Sequence, residues 1–260
     1  MKVTIVGCSG SYPGPESPAS CYLLEATGPD ATGGEERTWR ILLDLGNGAL
    51  GALQRHVDAL TIDAVFLSHL HADHCLDLCG YYVMRKYHPT GAQPRIPVYG
   101  PHSAAARIAT AYDLPIDPGM TEEFDFVEYE DGEALTVGPF TVLPVRVNHP
   151  VEAYALRVTG PAGEVLAYSG DTATTPALPQ AAAGADLFLC EASFRDGDEN
   201  PPDIHLTGSE AGQAATEAGV KRLVLTHIPP WFDEQGRLEE ARTTFSGPLE
   251  LAVRGAVYEI

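Results

Sequence analysis

The sequence contains no apolar run approaching the ~20 residues that a membrane span needs, so a membrane protein is not expected. It is poor in positive charge. Lys2, Lys86 and Lys221 are its only lysines, and 16 basic residues face 36 acidic ones, a net charge of −20. Phosphate-backbone binding depends on clustered Lys and Arg, so a long RNA would meet a repulsive surface and nucleic acid is not an expected partner. Cysteine is also sparse. Cys8, Cys21, Cys75, Cys79 and Cys190 are odd in number and scattered, which argues against a disulfide framework. Met1 to Cys8 lacks the basic head and apolar middle of a signal peptide and reads as a strand. There is no internal repeat and no stretch long enough for an interdomain linker. The expectation is one cytoplasmic domain spanning residues 1–260.

What is present is a strand-rich chain with interspersed helices. Lys2–Gly7, Cys21–Glu25 and Trp39–Leu45 read as strands, the last two separated by a polar, Gly-rich loop, Gly28–Glu36. Asp63–Ser68 is a short apolar run suited to a buried strand. The pattern predicts helices at Leu50–Val57, His74–Tyr87 and Ser103–Tyr112, with a strand at Arg95–Tyr99. Further strands are expected at Phe124–Tyr129, Ala134–Val137, Phe140–Asn148, Ala153–Val158, Val165–Ser169, Asp186–Cys190 and Arg222–Thr226. Helices are expected at Pro176–Ala183, Thr207–Ala218 and Leu238–Phe245, and Leu249–Tyr258 closes the chain as one strand. Such a mixture implies a layered α/β architecture, two sheets inside and helices outside.

Nine histidines are present, and most sit where an apolar strand ends. Ser68-His69-Leu70-His71-Ala72-Asp73-His74 follows one strand. Asn148-His149-Pro150, His205-Leu206-Thr207 and Leu225-Thr226-His227 follow the same rule. Two strands end in a carboxylate instead, at Leu43-Asp44 and at Tyr168-Ser169-Gly170-Asp171. Imidazole and carboxylate both bind divalent first-row metals. A pair of metals ~3.5–4 Å apart needs several ligands and a bridging group. The H-x-H pair places two imidazoles on one side, Asp73-His74 can serve a second ion, and His149, Asp171 and His227 are available from other strand ends. A lone histidine is more often a surface or hydrogen-bonded residue, and His56, His88 and His102 are read that way. Cys75 and Cys79 are read as packing.

This arrangement resembles the metallo-β-lactamase superfamily, and the motifs occur in order over nearly the whole chain. The resemblance implies a four-layer αββα sandwich with a dinuclear site at one edge of the two sheets. It implies His69, His71 and His149 as ligands of the first ion, and Asp73, His74 and His227 as ligands of the second. Asp171 would bridge them, and Asp44 would orient a ligand imidazole from behind. Zinc is the expected metal, with manganese or iron compatible by ligand type.

The passages Cys190-Glu191-Ala192-Ser193-Phe194, His205-Leu206-Thr207 and Val220–His227 are similar to the ribonuclease Z-like phosphodiesterases. That likeness implies that His205 protonates the leaving oxygen and Glu191 orients it, with Asp73 orienting or deprotonating the attacking water. Enzymes of that kind that process tRNA carry a basic, Gly/Pro-rich arm. In the bacterial type it lies between the residues matching His149 and Asp171, where this chain has only 21 residues. The stretch Tyr12–Pro18, which in those enzymes senses the tRNA end, contains no base. A small anionic phosphodiester is therefore the expected substrate. The longer passages Gly7–Ser11, Ser17–Ser20, Gly51–His56, His69–Leu78, Ser169–Thr172 and Cys190–Ser193 resemble actinobacterial cyclic-AMP phosphodiesterases, which implies 3′,5′-cyclic AMP and a homodimer. The alternatives are an RNA 3′-end endonuclease, a phosphodiesterase for another small diester, and a non-catalytic binding protein on the same fold.

Overall fold

The computed structural model describes residues 1–260 apart from Ala31. Fourteen strands and seven α-helices are found among the described residues. In chain order the first half contains β1 (Lys2–Gly7), β2 (Cys21–Pro29), β3 (Glu36–Leu43), α1 (Ala49–Leu53), β4 (Ala64–Phe66), α2 (Ala72–Cys75), α3 (Leu78–Lys86), β5 (Ile96–Gly100), α4 (Ala104–Ala111) and β6 (Phe124–Glu128). The second half contains β7 (Leu135–Val137), β8 (Phe140–Arg146), β9 (Tyr154–Thr159), β10 (Val165–Tyr168), α5 (Ala177–Ala181), β11 (Leu187–Glu191), α6 (Gly208–Ala218), β12 (Leu223–Thr226), α7 (Glu234–Arg242), β13 (Leu249–Leu251) and β14 (Val257–Glu259).

The strands form two seven-stranded sheets. One has the order β14-β1-β2-β3-β4-β5-β6, the other β13-β12-β11-β10-β9-β8-β7. Their facing sides build a shared core. Ile41, Leu43 and Phe66 from the first sheet meet Phe140, Leu156, Leu166 and Leu189 from the second. The alternate residues point outward and are also buried. Leu42, Val65 and Val98 lie under α1, α3 and α4, while Phe188, Cys190, Leu223 and Leu225 lie under α5, α6 and α7. Burial on both faces explains why β4, β11 and β12 read as continuous apolar runs rather than alternating ones. The result is the four-layer αββα arrangement.

The inner strands β3, β4 and β5 are parallel, as are β10, β11, β12 and β13. Parallel strands bring their C-terminal ends to one edge. Asp44, His69, Asp171, Glu191 and His227 all stand at such ends or within three residues of one. Two glycines permit the crowding. A Cβ on Gly46 would sit 1.9 Å from the carbonyl oxygen of Asp73. Gly170 has φ +57, and a Cβ there would lie 2.8 Å from the Tyr154 carbonyl oxygen and 2.9 Å from Ser68 Cβ.

Several expected elements are revised. The helix read over His74–Tyr87 is broken into α2 and α3, because Leu45 N–H donates to the His74 carbonyl and Asp77 N–H to the Leu45 carbonyl. The helix read at Leu238–Phe245 begins at Glu234, where the Asp233 side chain accepts from Gln235 N–H. The expected helix Leu50–Val57 is the short α1, ending at Leu53. Leu249–Tyr258 is two strands in different sheets, because Gly255, at φ +85, turns the chain across from β12 to β1. The loop read over Gly28–Glu36 is shorter. Gly28, Pro29 and Glu36 pair within β2 and β3, and Ala31 lies outside the described residues.

Candidate metal centre

Two groups of side chains converge at the strand-end edge. His69, His71, His149 and Asp171 form one, and Asp73, His74, Asp171 and His227 the other. In the first, His69 Nε2 lies 3.0 Å from His71 Nδ1, which lies 3.2 Å from His149 Nε2. In the second, His74 Nε2 and His227 Nε2 are 3.1 Å apart, and Asp73 Oδ2 is 3.1 Å from His227 Nε2. Asp171 divides its oxygens between them. Its Oδ2 is 3.5 Å from His69 Nε2, while its Oδ1 is 3.2 Å from His74 Nε2 and 3.4 Å from His227 Nε2.

The ring tautomers are set from behind. Asp44 Oδ2 accepts from His74 Nδ1–H at 2.7 Å. Ser68 Oγ donates to Asp44 Oδ2 at 2.8 Å and so accepts from His69 Nδ1–H at 3.1 Å. The Ile204 carbonyl accepts from His149 Nδ1–H at 2.8 Å. Ser193 Oγ donates to the His227 carbonyl at 2.7 Å and accepts from His227 Nδ1–H at 2.9 Å. Each of these four rings therefore turns a lone pair on Nε2 into the cluster. Lone pairs facing one another at such spacing repel unless a cation lies between them. Four ligands at ~2.0–2.2 Å from a tetrahedral ion would be about 3.3–3.6 Å apart, close to the spacings found. Asp171 Oδ1 is buried and accepts no hydrogen bond among the described residues. The donor set and this orphaned oxygen fit two divalent ions, with Asp171 reaching both.

Asp44 is itself fully buried with φ +59, and takes Ser68 N–H at 2.7 Å and Tyr168 O–H at 2.7 Å in addition to His74 and Ser68 Oγ. His227 also has a positive φ, +55, and Ser11 N–H points at its Nε2 from 3.4 Å.

Beside the cluster lies a second arrangement. His205 Nδ1 is 2.8 Å from Glu191 Oε1 and 4.0 Å from Asp171 Oδ2. Glu191 is fully buried and held by Thr172 N–H on Oε1 at 2.8 Å and by Ser193 N–H and Leu206 N–H on Oε2 at 3.2 and 3.3 Å. The capping box of Thr207 and Glu210 starts α6 two residues after His205 and fixes that turn.

Burial disfavours charge throughout the cluster, and neighbours decide the outcome. His69 is held well below the usual imidazole range by burial and then by His74. With no ion bound, Asp171 and Asp44 outweigh burial and drive His74 well above it, and a cation bound at Nε2 would displace that proton. Asp171 stays well below the carboxylate range although burial opposes this, through His227, His74 and His69. Burial lowers His205, but Glu191 prevails and pushes it up to about 9.

The structure brings together Asp44, His69, His71, Asp73, His74, His149, Asp171, Glu191, His205 and His227. His56, His88 and His102 lie outside the cluster, and His102 is exposed and faces Glu152 at 3.0 Å and Glu128 at 3.5 Å. Ser11, Ser68, Tyr168 and Ser193 were not singled out from the sequence. Ser68 and Ser193 adjoin the motifs, and Tyr168 is a hydroxyl closing an apolar strand, which is the one signal that pointed to it.

A family model described as a β-lactamase superfamily domain matches residues 39–228. An uncharacterized protein of Mycobacterium leprae is 46% identical over all of this chain and 89% of its own length. A ribonuclease Z of Myxococcus xanthus is 31% identical over 85% of this chain and 88% of its own. The crystal structure of the metallo-β-lactamase fold protein YhfI from Bacillus subtilis superposes with a TM-score of 0.84 at 29% identity, covering 100% of this chain and 99% of that one.

Proposed function

This chain belongs to the β-lactamase superfamily, in its ribonuclease Z and metallo-hydrolase branch, and from that premise we propose that it is a dinuclear metal-dependent phosphodiesterase for a small diester. The substrate we assign is 3′,5′-cyclic AMP, converted to 5′-AMP. The observation that carries a diesterase reading is His205, hydrogen-bonded to the buried Glu191 and 4.0 Å from Asp171 Oδ2. A general acid at that place serves a departing alkoxide.

Two divalent ions, zinc by preference for imidazole and carboxylate donors, would supply Lewis acidity and lower the pKa of water toward ~7 when bound. His69, His71, His149, Asp171, Asp73, His74 and His227 would hold them. Asp73 orients the attacking water and accepts its proton. Water adds to phosphorus, the P–O3′ bond breaks, and His205 gives its proton to the 3′ oxygen. Glu191 holds His205 in its charged form for that step, and such acid catalysis contributes typically ~10²–10⁴ in rate.

Two features favour a small diester over a polynucleotide. The cavity beside His205, of about 270 Å³, is lined by Asp203 and Glu210 as well as Phe194, Asn200 and Thr207. Those carboxylates oppose a polyanionic leaving strand and tolerate a hydroxyl-rich, neutral nucleoside. The span between His149 and Asp171 is consumed by β9 and β10 and a tight turn at Gly160–Gly163, which leaves no chain for a protruding arm.

A second reading, cleavage at RNA 3′ ends, draws on the likeness to a ribonuclease Z. One experiment separates them. Zinc- or manganese-loaded protein is incubated with 3′,5′-cyclic AMP, with a tRNA precursor and with bis-p-nitrophenyl phosphate, and the products are separated by chromatography. Formation of 5′-AMP, lost in His74→Ala, supports the assignment. Cleavage of the precursor without 5′-AMP favours the second reading, and cleavage of the nitrophenyl ester alone removes both substrates while keeping the chemistry.

A further inference from the structure

Positive charge in this chain is scarce but not evenly spread. Thirteen of its sixteen basic residues are arginines. Four of the thirteen, Arg37, Arg40, Arg85 and Arg95, line one cavity of about 490 Å³, in which Asp63 is the only acidic lining residue. Against a net charge of −20, this is a local reversal of sign. Such a concave positive site concentrates small anions.

The cavity is separate from the metal centre. Arg37 and Arg40 belong to β3, Arg40 immediately preceding its parallel pairing with β4, Asp63 immediately precedes β4, and Arg95 immediately precedes β5. In the sheet, Ile41 pairs with Ala64 and Val65 with Val98, so Arg40, Asp63 and Ile96 stand side by side. This is the N-terminal side of the parallel pairing of β3, β4 and β5. The metal ligands follow their C-terminal ends, at the opposite edge.

The arginines are held in place but not used up. Arg37 Nη2 donates to Asp63 Oδ1 at 2.7 Å and its guanidinium lies 3.5 Å over the Trp39 ring. Arg40 Nε donates to Glu25 Oε1 at 3.0 Å, and neither Nη group has a hydrogen-bond partner among the described residues. Arg95 makes one bond, from Nη1 to the Thr121 carbonyl at 3.3 Å. Arg85 is 2% exposed and is tied to the protein, its Nη1 donating to Tyr81 O–H at 3.1 Å and its Nη2 to the Pro94 carbonyl, so it adds its charge to the lining. The donors left for a ligand are the Nη groups of Arg40 and the exposed guanidinium of Arg95. Guanidinium forks match the oxygens of phosphate.

We infer that this cavity is a second ligand site, for a small phosphate-bearing anion. The inference is independent of the reaction assigned to the metal centre. Either a compact polyphosphate or a sugar phosphate supplies the chemistry, and the two are separable by probe.

The test is isothermal titration of the full-length, metal-loaded protein with inorganic pyrophosphate and, separately, with ribose 5-phosphate. Parent, Arg40→Gln, Arg95→Gln and His69→Ala proteins are compared, with thermal melting to confirm that each is folded. Arg95 is exposed, so Arg95→Gln decides alone if Arg40→Gln does not fold. For at least one probe, binding is expected to weaken about tenfold or more in the arginine variants, the loss of a charge-assisted contact. It is expected to persist in His69→Ala and to weaken with added salt. A response to pyrophosphate alone identifies a polyphosphate, and one to ribose 5-phosphate a sugar phosphate. Binding that is lost in His69→Ala, unchanged in the arginine variants, or absent for both probes up to roughly 10 mM overturns the inference.

Discussion

The two halves of the metal centre are built on different foundations. Asp73, His74, Asp171 and His227 are all buried, whereas His71 and His149 in the other half are partly open. His74 leans on Asp44, which is locked in turn by Ser68 from the end of β4 and Tyr168 from β10. His227 leans on Ser193, beyond the end of β11. Both supports come from the strands of the core. His149 leans on the Ile204 carbonyl, in the loop that also carries His205. One half is thus pre-organised by the sandwich itself. In the other, His69 shares the Ser68 support, while His71 and His149 are partly open and His149 is held by a loop, with the His205 ring 5.6 Å from those of both His149 and His227.

Removing a ring from the sealed half should do most damage. His74→Ala takes away a proposed ligand and leaves Asp44 and Asp171 buried without their imidazole partner. Turnover is expected to drop by at least about 10⁴, with metal content falling below two ions per chain by elemental analysis. Retention of both ions and of activity would remove the distinction between the halves.

On the open side, His205→Ala should leave the metal content unchanged while lowering kcat by about 10²–10⁴. The pH profile sharpens this. The pKa of His205 is raised in the folded protein to about 9, so the proton-donating form is present below that value and lost as pH rises through it. An alkaline limb in kcat at or below that pH is expected. Glu191→Gln removes the group that raises the pKa, so burial prevails and the limb moves to lower pH. A limb that stays where it was would show that Glu191 does not set the charge of His205.

Smaller again is the effect of loosening a support. Asp44→Asn keeps the shape but offers one acceptor oxygen in place of two to His74, Ser68 and Tyr168. Such outer supports typically carry ~10–100-fold in metal affinity or activity. The competing outcome, a loss confined to thermal stability with metal affinity unchanged, would mean that Asp44 serves the core rather than the site.

How much of this was legible depends on distance along the chain. His69, His71, Asp73 and His74 stand within six residues, and a donor cluster so dense is visible without a fold. Asp44, His149, Asp171 and His227 were visible because each ends an apolar run where a solvated loop would more often begin. Tyr168 and Ser193 were not, because their roles exist only when β10 of one sheet faces the end of β3 in the other and β11 is laid beside β12. The same limit explains Leu249–Tyr258. Apolar periodicity marks a strand but does not record which sheet it joins, and only Gly255 betrays the crossing. The arginine cavity is the extreme case, since Arg37, Arg40, Arg85 and Arg95 come from three separate segments and share no local pattern.

The finest test of the two-halves contrast is the order in which the ions leave. In the sealed half every ligand is buried, and the rings of His74 and His227 are fixed by side chains from the core. A chelator must wait for that region to open. In the open half, His71 and His149 are reachable from solvent, and His149 can swing away if the loop around Ile204 moves. Stepwise chelation of the two-ion protein should therefore show two phases differing by about tenfold or more in rate, the first leaving one ion behind. The assignment of phases follows from variants. Ser193→Ala frees the His227 ring and should speed the slow phase, whereas a change in the loop that holds His149 should speed only the fast one. Simultaneous loss of both ions would mean that Asp171, the ligand shared by both groups, couples the halves more strongly than their separate supports divide them.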